Sequence, residues 1–331
     1  MSVIYKKLEQ VCNILDSQRV PITAKNRKAG EYPYYGANGL QDYVDGYIFD
    51  DELVLLAEDG GNFGSTERPI AYRVSGKCWV NNHAHVLKAR PEMNIDYLCY
   101  SLMFYNTNGI INGATRQKLT QAAMRKMVIP YREMSEQIEI VNKITRIFSL
   151  IEKRKKELEL LDGLVKSRFI EMFYEKGYPV LKWEKVFNTT TGKLDSNAAV
   201  EEGKYPFFTC SKEELKIDKF AFDQEALLLA GNNAAGKYDV KYYKGKFNAY
   251  QRTYVLGLKE EWSYQLFRYQ LENKLIYLQQ KSLGGLTKYL TMKILNELDF
   301  IIPPMEKQIE FEMFCNQTDK SKHFCEMEVA A

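Results

Sequence analysis

Cysteine pairs, nucleotide-binding loops and long apolar runs are all missing from this chain. Its 331 residues hold six cysteines, at Cys12, Cys78, Cys99, Cys210, Cys315 and Cys325, with no C-x-x-C pair. That scatter supports neither a zinc site nor a disulfide framework and reads as free buried thiols in a reducing compartment. Histidine is scarcer, three in all. His83 and His85 are expected to alternate on one strand face, but a metal needs further donors and His323 stands far away in the tail. No metal is expected. There is no G-x-x-x-x-G-K-[ST] loop, and Gly60-Gly61-Asn62-Phe63-Gly64 lacks both the lysine and a following helix. The [DNS]-P-P-[YF] motif of methyltransferases that act on exocyclic amines is also absent. The only Pro-Pro, Pro303-Pro304, lies between Ile302 and Met305. No catalytic residue is expected, so the chain reads as a non-enzyme. No stretch approaches the roughly 18 apolar residues of a membrane span, and Met1 to Lys7 lacks the apolar run of a signal peptide. A cytoplasmic chain without membrane contact is the expectation. Charge of one sign is lacking too: 46 basic against 43 acidic residues give a net charge of +3. That total does not by itself demand a nucleic-acid partner, although a local basic face matters more than the sum.

What the chain does have is repetition. Glu31-Tyr32-Pro33-Tyr34-Tyr35-Gly36 returns as Lys204-Tyr205-Pro206-Phe207-Phe208-Thr209. Leu53-Val54-Leu55-Leu56-Ala57, a buried-strand pattern ending in a turn cluster, returns as Ala226-Leu227-Leu228-Leu229-Ala230. Gly113 to Thr120 is echoed by Gly284 to Thr291, and Val128-Ile129-Pro130 with Gln137-Ile138 by Ile301-Ile302-Pro303 with Gln308-Ile309. A repeat this long means two domains, since solenoid repeats run about 20–50 residues. Thr120 and Thr291 are expected to cap short helices.

Between the copies the composition changes. Ile144, Ile151, Leu158, Val165 and Met172 recur every seven residues, which predicts one helix of about 40 residues, roughly 60 Å long, with a coiled-coil-like stripe that needs a partner. The companion seam turns polar at Lys155 and Asp162. Gly163 reads as a close packing point. The charge run Lys153 to Lys156 reads as a solvated face paired with neighbouring glutamates. A second helix is expected near Glu306, with Ile309, Met313 and Phe314 as its apolar positions. The expected fold is α+β: two homologous mixed α/β units related by a pseudo-two-fold internal repeat and separated by long coiled-coil-like helices. The expected divisions are 1–133, 134–176, 177–305 and 306–331.

This order resembles the DNA-specificity (S) subunit of type I restriction–modification systems. The resemblance rests on Val54 to Gly61, on Trp79 to Leu87 read as one following strand, on the G-x-T segment at Gly113 to Thr115 with its Ile-Pro close, and on Leu164 to Phe173 as the end of a central helix. It covers the chain to about Lys322. It implies that 1–133 and 177–305 are target recognition domains, each reading one half of a bipartite, asymmetric site on double-stranded DNA. The helices would dock two modification (adenine methyltransferase) subunits, with Ile144, Ile151, Leu158, Val165 and Met172 as the partner-binding stripe. Restriction subunits would join them. S-adenosylmethionine and ATP would belong to those partners, with no cofactor in this chain. The second helix is shorter than the family's, so it reads as truncated. A homodimer through the long helix is the expected consequence. The alternative reading is a coiled-coil interaction protein, or an inactive or phase-variable specificity fragment that needs a partner chain to bind DNA.

Residue types name the DNA candidates. Arginine suits guanine, asparagine and glutamine suit adenine, and lysine or threonine suits phosphate. In the first unit these are Lys25, Arg27, Lys28, Asn62, Asn82, His83, Thr115, Arg116 and Lys118. In the second they are Asn232, Asn233, Lys237, Gln251, Arg252, Lys281, Thr287 and Lys288. Arg116 and Lys288 are read as equivalents, each just before a helix start that would favour phosphate.

Overall fold

Leu53 to Ala57 lies at the centre of a sheet, fully buried on both faces. Leu53 and Leu55 pack into one layer and Val54 and Leu56 into the opposite one, as the period of two requires. That two-sided burial explains why the run is continuously apolar. The computed structural model describes residues 3–111, 117–234 and 236–330, the side chains of 329 and 330 excepted. The chain divides into two units, Met1–Leu150 and Ile151–Ala331.

Unit 1 contains a six-stranded sheet of β1 (Cys12–Ile14), β2 (Ala29–Gly36), β3 (Gly39–Val44), β4 (Phe49–Ala57), β5 (Ala71–Val80) and β6 (Ala84–Ala89). Their spatial order is β1-β6-β4-β5-β2-β3. Helix α1 (Ile95–Met103) packs on it, and α2 (Gln121–Lys126) follows. Unit 2 repeats the arrangement with β7 (Phe187–Thr191), β8 (Tyr205–Phe208), β9 (Leu215–Ile217), β10 (Phe222–Ala230), β11 (Val240–Ala249) and β12 (Thr253–Leu258). The order is β7-β12-β10-β11-β8-β9, the same strand for strand. Register repeats as well: Val54 faces Leu87 and Ala57 faces Ala84, as Leu227 faces Leu256 and Ala230 faces Thr253. The echoed Tyr-Pro segments are β2 and β8, each the strand that pairs parallel, Tyr34 with Trp79 and Phe207 with Asn248.

Helix α3 (Met134–Phe173) runs for 40 residues, and Glu175 and Gly177, at φ 54° and 72°, turn the chain out of it. Unit 2 continues with α4 (Tyr264–Glu272), α5 (Leu275–Lys281), α6 (Met292–Leu295) and α7 (Met305–Ala330). The Gln-Ile echo has a structural cause. Gln137 Oε1 accepts the N–H of Asn94, the N-cap of α1, at 2.8 Å, and Gln308 Oε1 accepts that of Ser263, the N-cap of α4, at 3.0 Å. Each is an almost fully buried amide that ties a long helix to its own domain.

Within unit 2 the end of α3 packs antiparallel on α7, with ion pairs Arg154–Glu328 and Arg168–Glu310 at 2.5 Å and Asp162–Lys322 at 2.6 Å. Three sequence expectations change here. Val165 and Met172 are buried against Phe311, Cys315 and Leu266, so they belong to the internal core and not to an open docking face. Ile144, Ile151 and Leu158 are half-buried. The buried seam of α7 is Gln308, Phe311, Cys315, Thr318 and Cys325, whereas Ile309 and Met313 are exposed. Its inward polar groups are satisfied locally: Gln308 Nε2 donates to Pro303 O at 2.8 Å and Thr318 Oγ1 to Phe314 O at 2.9 Å. Gly163 faces open space, with no atom within 4 Å of an added Cβ, so it marks no close contact. The charge run is a paired face: Arg154 meets Glu157 at 2.6 Å and Lys155 meets Glu152 at 3.4 Å.

None of the described cysteines is disulfide-bonded, and five are buried. Burial pushes the thiols of Cys12, Cys99 and Cys315 up to about 12. They stay protonated and unreactive. No helix of the described residues is long and apolar enough to cross a membrane.

Candidate nucleic-acid interface

The two units are built alike where β4 and β10 end. In unit 1 the N–H of Glu58 donates to His83 O at 2.8 Å, and the N–H of Leu119 donates to Glu58 O at 2.7 Å. In unit 2 the N–H of Gly231 donates to Arg252 O at 2.8 Å, and the N–H of Leu290 donates to Gly231 O at 2.8 Å. Beneath them a strand side chain reaches the same carbonyl: His85 Nε2 lies 2.9 Å from Leu119 O, and Tyr254 Oη donates to Leu290 O at 3.1 Å. These bonds draw three loops together in each unit. Thr120 and Thr291 then cap α2 and α6, accepting from the N–H of Ala123 at 3.3 Å and of Ile294 at 3.4 Å.

On that shared frame the side chains differ. Unit 1 presents Glu58, Asp59, His83 and Lys118. Glu58 is held by Arg19 Nη1 at 2.8 Å and Lys118 Nζ at 3.1 Å, and His83 Nδ1 meets Asp59. Unit 2 presents Gly231, Asn232, Arg252 and Tyr289 in the corresponding places, with Asn232 opposite Tyr289 and Asn233 opposite Lys288. Gly231 is required there, because a Cβ would lie 2.2 Å from Arg252 O. One loop end therefore mixes carboxylates with bases, and the other lacks the carboxylates.

Asn82, His83 and Lys118 of unit 1 fall in this cluster, as do Asn232, Asn233, Lys237, Arg252 and Lys288 of unit 2. Asn62 lies in the loop after Gly60, half-buried, with its carbonyl accepting from Ser65 N–H at 3.1 Å. Gln251 bonds Asp195 Oδ2 at 3.2 Å, and Lys281 ends α5, exposed. Thr287 is exposed in the loop before Lys288. Lys25, Arg27 and Lys28 stand instead beside the edge strand β3, where Arg27 stacks 4.2 Å from the Tyr34 ring and meets Asp42 at 3.4 Å. Thr115 and Arg116 lie outside the described residues.

Two further expectations are corrected. Trp79 to Leu87 is not one strand. It breaks at 81–83, where Asn81 Oδ1 accepts His83 N–H at 2.8 Å and bends the chain in an Asx turn. His83 therefore stands in the turn while His85 is wholly buried in β6. The helix-dipole argument for phosphate also fails. The helices α2 and α6 have only six and four residues, and each capping threonine already engages one N–H of the first turn, that of Ala123 or Ile294. Counted back from those threonines, Lys288 stands level with Gln117 and not Arg116.

Asp16, Glu58 and His85 converge closely enough to hold a cation, a group that the search for histidine partners alone overlooks. Its donors are already used. Asp16 Oδ2 takes His85 Nδ1 at 2.6 Å and Gln121 Nε2 at 2.9 Å, and Asp16 Oδ1 takes Val86 N–H at 2.9 Å. Arg19 fills the remaining side. Burial alone would raise the Asp16 carboxyl, but the His85, Gln121 and Val86 bonds hold it below its ordinary value. The cluster is an internal polar network under the loop end.

One sequence signal for these loops escapes residue-by-residue reading. Residues 97–132 contain five arginines and lysines and no carboxylate, and residues 273–296 contain four lysines and none. A groove of unit 2, about 1000 Å³, lies at the opposite end of β10. It is lined by Glu225, Glu260, Glu261 and Glu312, the wrong sign for phosphate.

A family description, the type I restriction modification DNA specificity domain, matches residues 3–160 and again 175–320. A type I restriction enzyme specificity subunit of Haemophilus influenzae is 27% identical over 330 residues, covering 92% of this chain and 85% of its own. The EcoDI specificity subunit of Escherichia coli is 38% identical over 127 residues, 38% of this chain and 27% of its own. In fold, the crystal structure of a type I restriction–modification S subunit from M. genitalium superposes with a TM-score of 0.68 at 14% identity, over 100% of this chain and 92% of that one. A chain from a structure of type I restriction–modification complex assembly gives 0.55 at 15% identity, over 99% and 94%.

Proposed function

The chain belongs to the type I restriction modification DNA specificity family, and from that premise we propose that its two units read two different halves of one bipartite DNA site. As a specificity subunit it recognises DNA and leaves catalysis to other subunits. The observation that carries the two-half reading is the shared loop-end frame with unlike side chains. Asp59 and His83 of unit 1 stand where unit 2 has Asn232 and Arg252, while Glu58 stays within the network held by Arg19 and Lys118. Carboxylates accept from cytosine N4, arginine pairs with guanine, and asparagine pairs with adenine. Two identical frames bearing different groups therefore select different bases. Modification subunits carrying S-adenosylmethionine supply the methyl transfer, and restriction subunits consume ATP. Docking falls on exposed apolar positions of the helices, Leu160 and Leu164 on α3 and Met313 on α7, at 64%, 49% and 62% exposure. It does not fall on the buried Val165 and Met172.

The test maps methylated adenines in cells that express the chain with its modification subunits. His83→Ala should relax base preference in one half of the site only, and Arg252→Ala in the other half only. One substitution altering both halves, or neither substitution altering any base, would overturn the reading.

A further inference from the structure

We propose that Leu286 is an apolar probe that enters a groove of the DNA half-site read by unit 2 and packs against the bases there. This rests on the DNA-reading function above and assigns a residue that recognition by polar groups alone leaves out. Leu286 is 95% exposed, more than any other large apolar residue described. Singly exposed leucines are ordinary on protein surfaces, but the setting of this one is not. It is the middle residue of Gly284-Gly285-Leu286-Thr287-Lys288. That loop is closed by reciprocal bonds between Leu283 and Tyr289, N–H to O at 3.0 and 2.9 Å. Lys288 Nζ donates to Gly284 O across the loop at 2.8 Å. Gly284 sits at φ 101°, and a Cβ there would lie 2.2 Å from Thr287 O, so only glycine closes the loop this way. The base is pinned by pairing of Asn232 with Tyr289 and Asn233 with Lys288. The leucine is thus held outward on a constrained apex, with its ordering cost already met before any partner arrives.

The charge around it selects the partner. Lys281, Lys288, Lys237 and Arg252 come from the same loops, and residues 273–296 carry no carboxylate. Basic side chains on the loops beside an apolar tip fit phosphates flanking a groove whose floor is apolar base edges and thymine methyls. Inserted apolar side chains also find favourable contacts at base steps.

The experiment uses the chain assembled with its modification subunits and measures affinity for a duplex carrying the mapped site and for one lacking it. Leu286→Ala should lower affinity for the cognate duplex on the order of tenfold, given the apolar area removed. It should leave non-specific binding, subunit assembly and thermal stability unchanged. Leu286→Met should retain most of the affinity. Unchanged cognate affinity in Leu286→Ala would overturn the proposal. So would lost binding of modification subunits, which would make the loop a protein contact. If the unsubstituted assembly itself shows no site preference, the DNA-reading function fails. If it shows one and Leu286→Ala keeps it, only the loop assignment fails.

Discussion

Asp16 and His85 show how much of unit 1's loop end depends on groups that never reach solvent. Removing His85 leaves the Asp16 carboxylate buried without its main partner, which costs about 3–5 kcal/mol for a broken buried pair. His85→Ala should therefore lower the stability of the chain by that order in denaturant melts, while Tyr254→Phe at the matching place in unit 2 should cost only about 1 kcal/mol. The sign of the pH effect follows from the lowered Asp16 carboxyl. A group depressed on folding contributes stability that is present above its unfolded value of about 3.9 and lost as pH falls through the folded value. Asp16→Asn should flatten the acid limb of the stability curve below about pH 4; an unchanged limb would show that Asp16 is not linked to folding. At the surface, Lys288→Ala should weaken binding across sequences and reduce the salt slope by about one if it holds phosphate. A changed base preference would make the residue a base reader. The sequence named His83, Asn82 and Lys118 as candidates from residue type alone. It misjudged the His83–His85 pair because the turn made by Asn81 was read through as strand. It also overlooked the cation-like cluster because Asp16 and Glu58 are remote from His85 in the chain.

The helices were legible in length but only half legible in their faces. The seven-residue recurrence from Ile144 to Met172 forecast α3 because an apolar seam has that period. The seam of α7 escaped because it is made of Gln308, Cys315 and Thr318 as well as Phe311, and a polar seam leaves no hydrophobic period to count. The consequence is measurable. Phe311 is fully buried in a cluster with Phe169, Phe173 and Tyr269, so Phe311→Ala should cost about 3–5 kcal/mol. Met313→Ala, at an exposed position the periodicity had favoured, should stay within about 0.5 kcal/mol. The interhelical ion pairs are partly exposed, and each should be worth about 0–1 kcal/mol. They fix the antiparallel register more than the stability. Leu164→Asp tests the docking face: it should abolish co-purification with a modification subunit and leave the melting curve intact. Retained co-purification would place docking elsewhere.

For the whole molecule, the duplication was the most readable feature. Buried strands and their turns keep their sequence pattern when the fold is copied, so the repeated Leu-Leu-Ala segments marked equivalent strands of the two six-stranded sheets and the Ile-Pro segments the entry to the helices that follow. The loop ends diverged more in side chain, and hydrogen bonds such as Leu119 to Glu58 and Leu290 to Gly231 carry the equivalence that the echo of Gly113 to Thr120 in Gly284 to Thr291 pointed to. The same divergence underlies the central claim, that one chain joins two unlike readers. Single-molecule sequencing of methylated adenines, in a host expressing this chain with its modification subunits, tests that claim most directly. The expected result is one bipartite motif whose two specified halves differ and are separated by unread bases. A palindromic motif, or a continuous one read by a single unit, would contradict it.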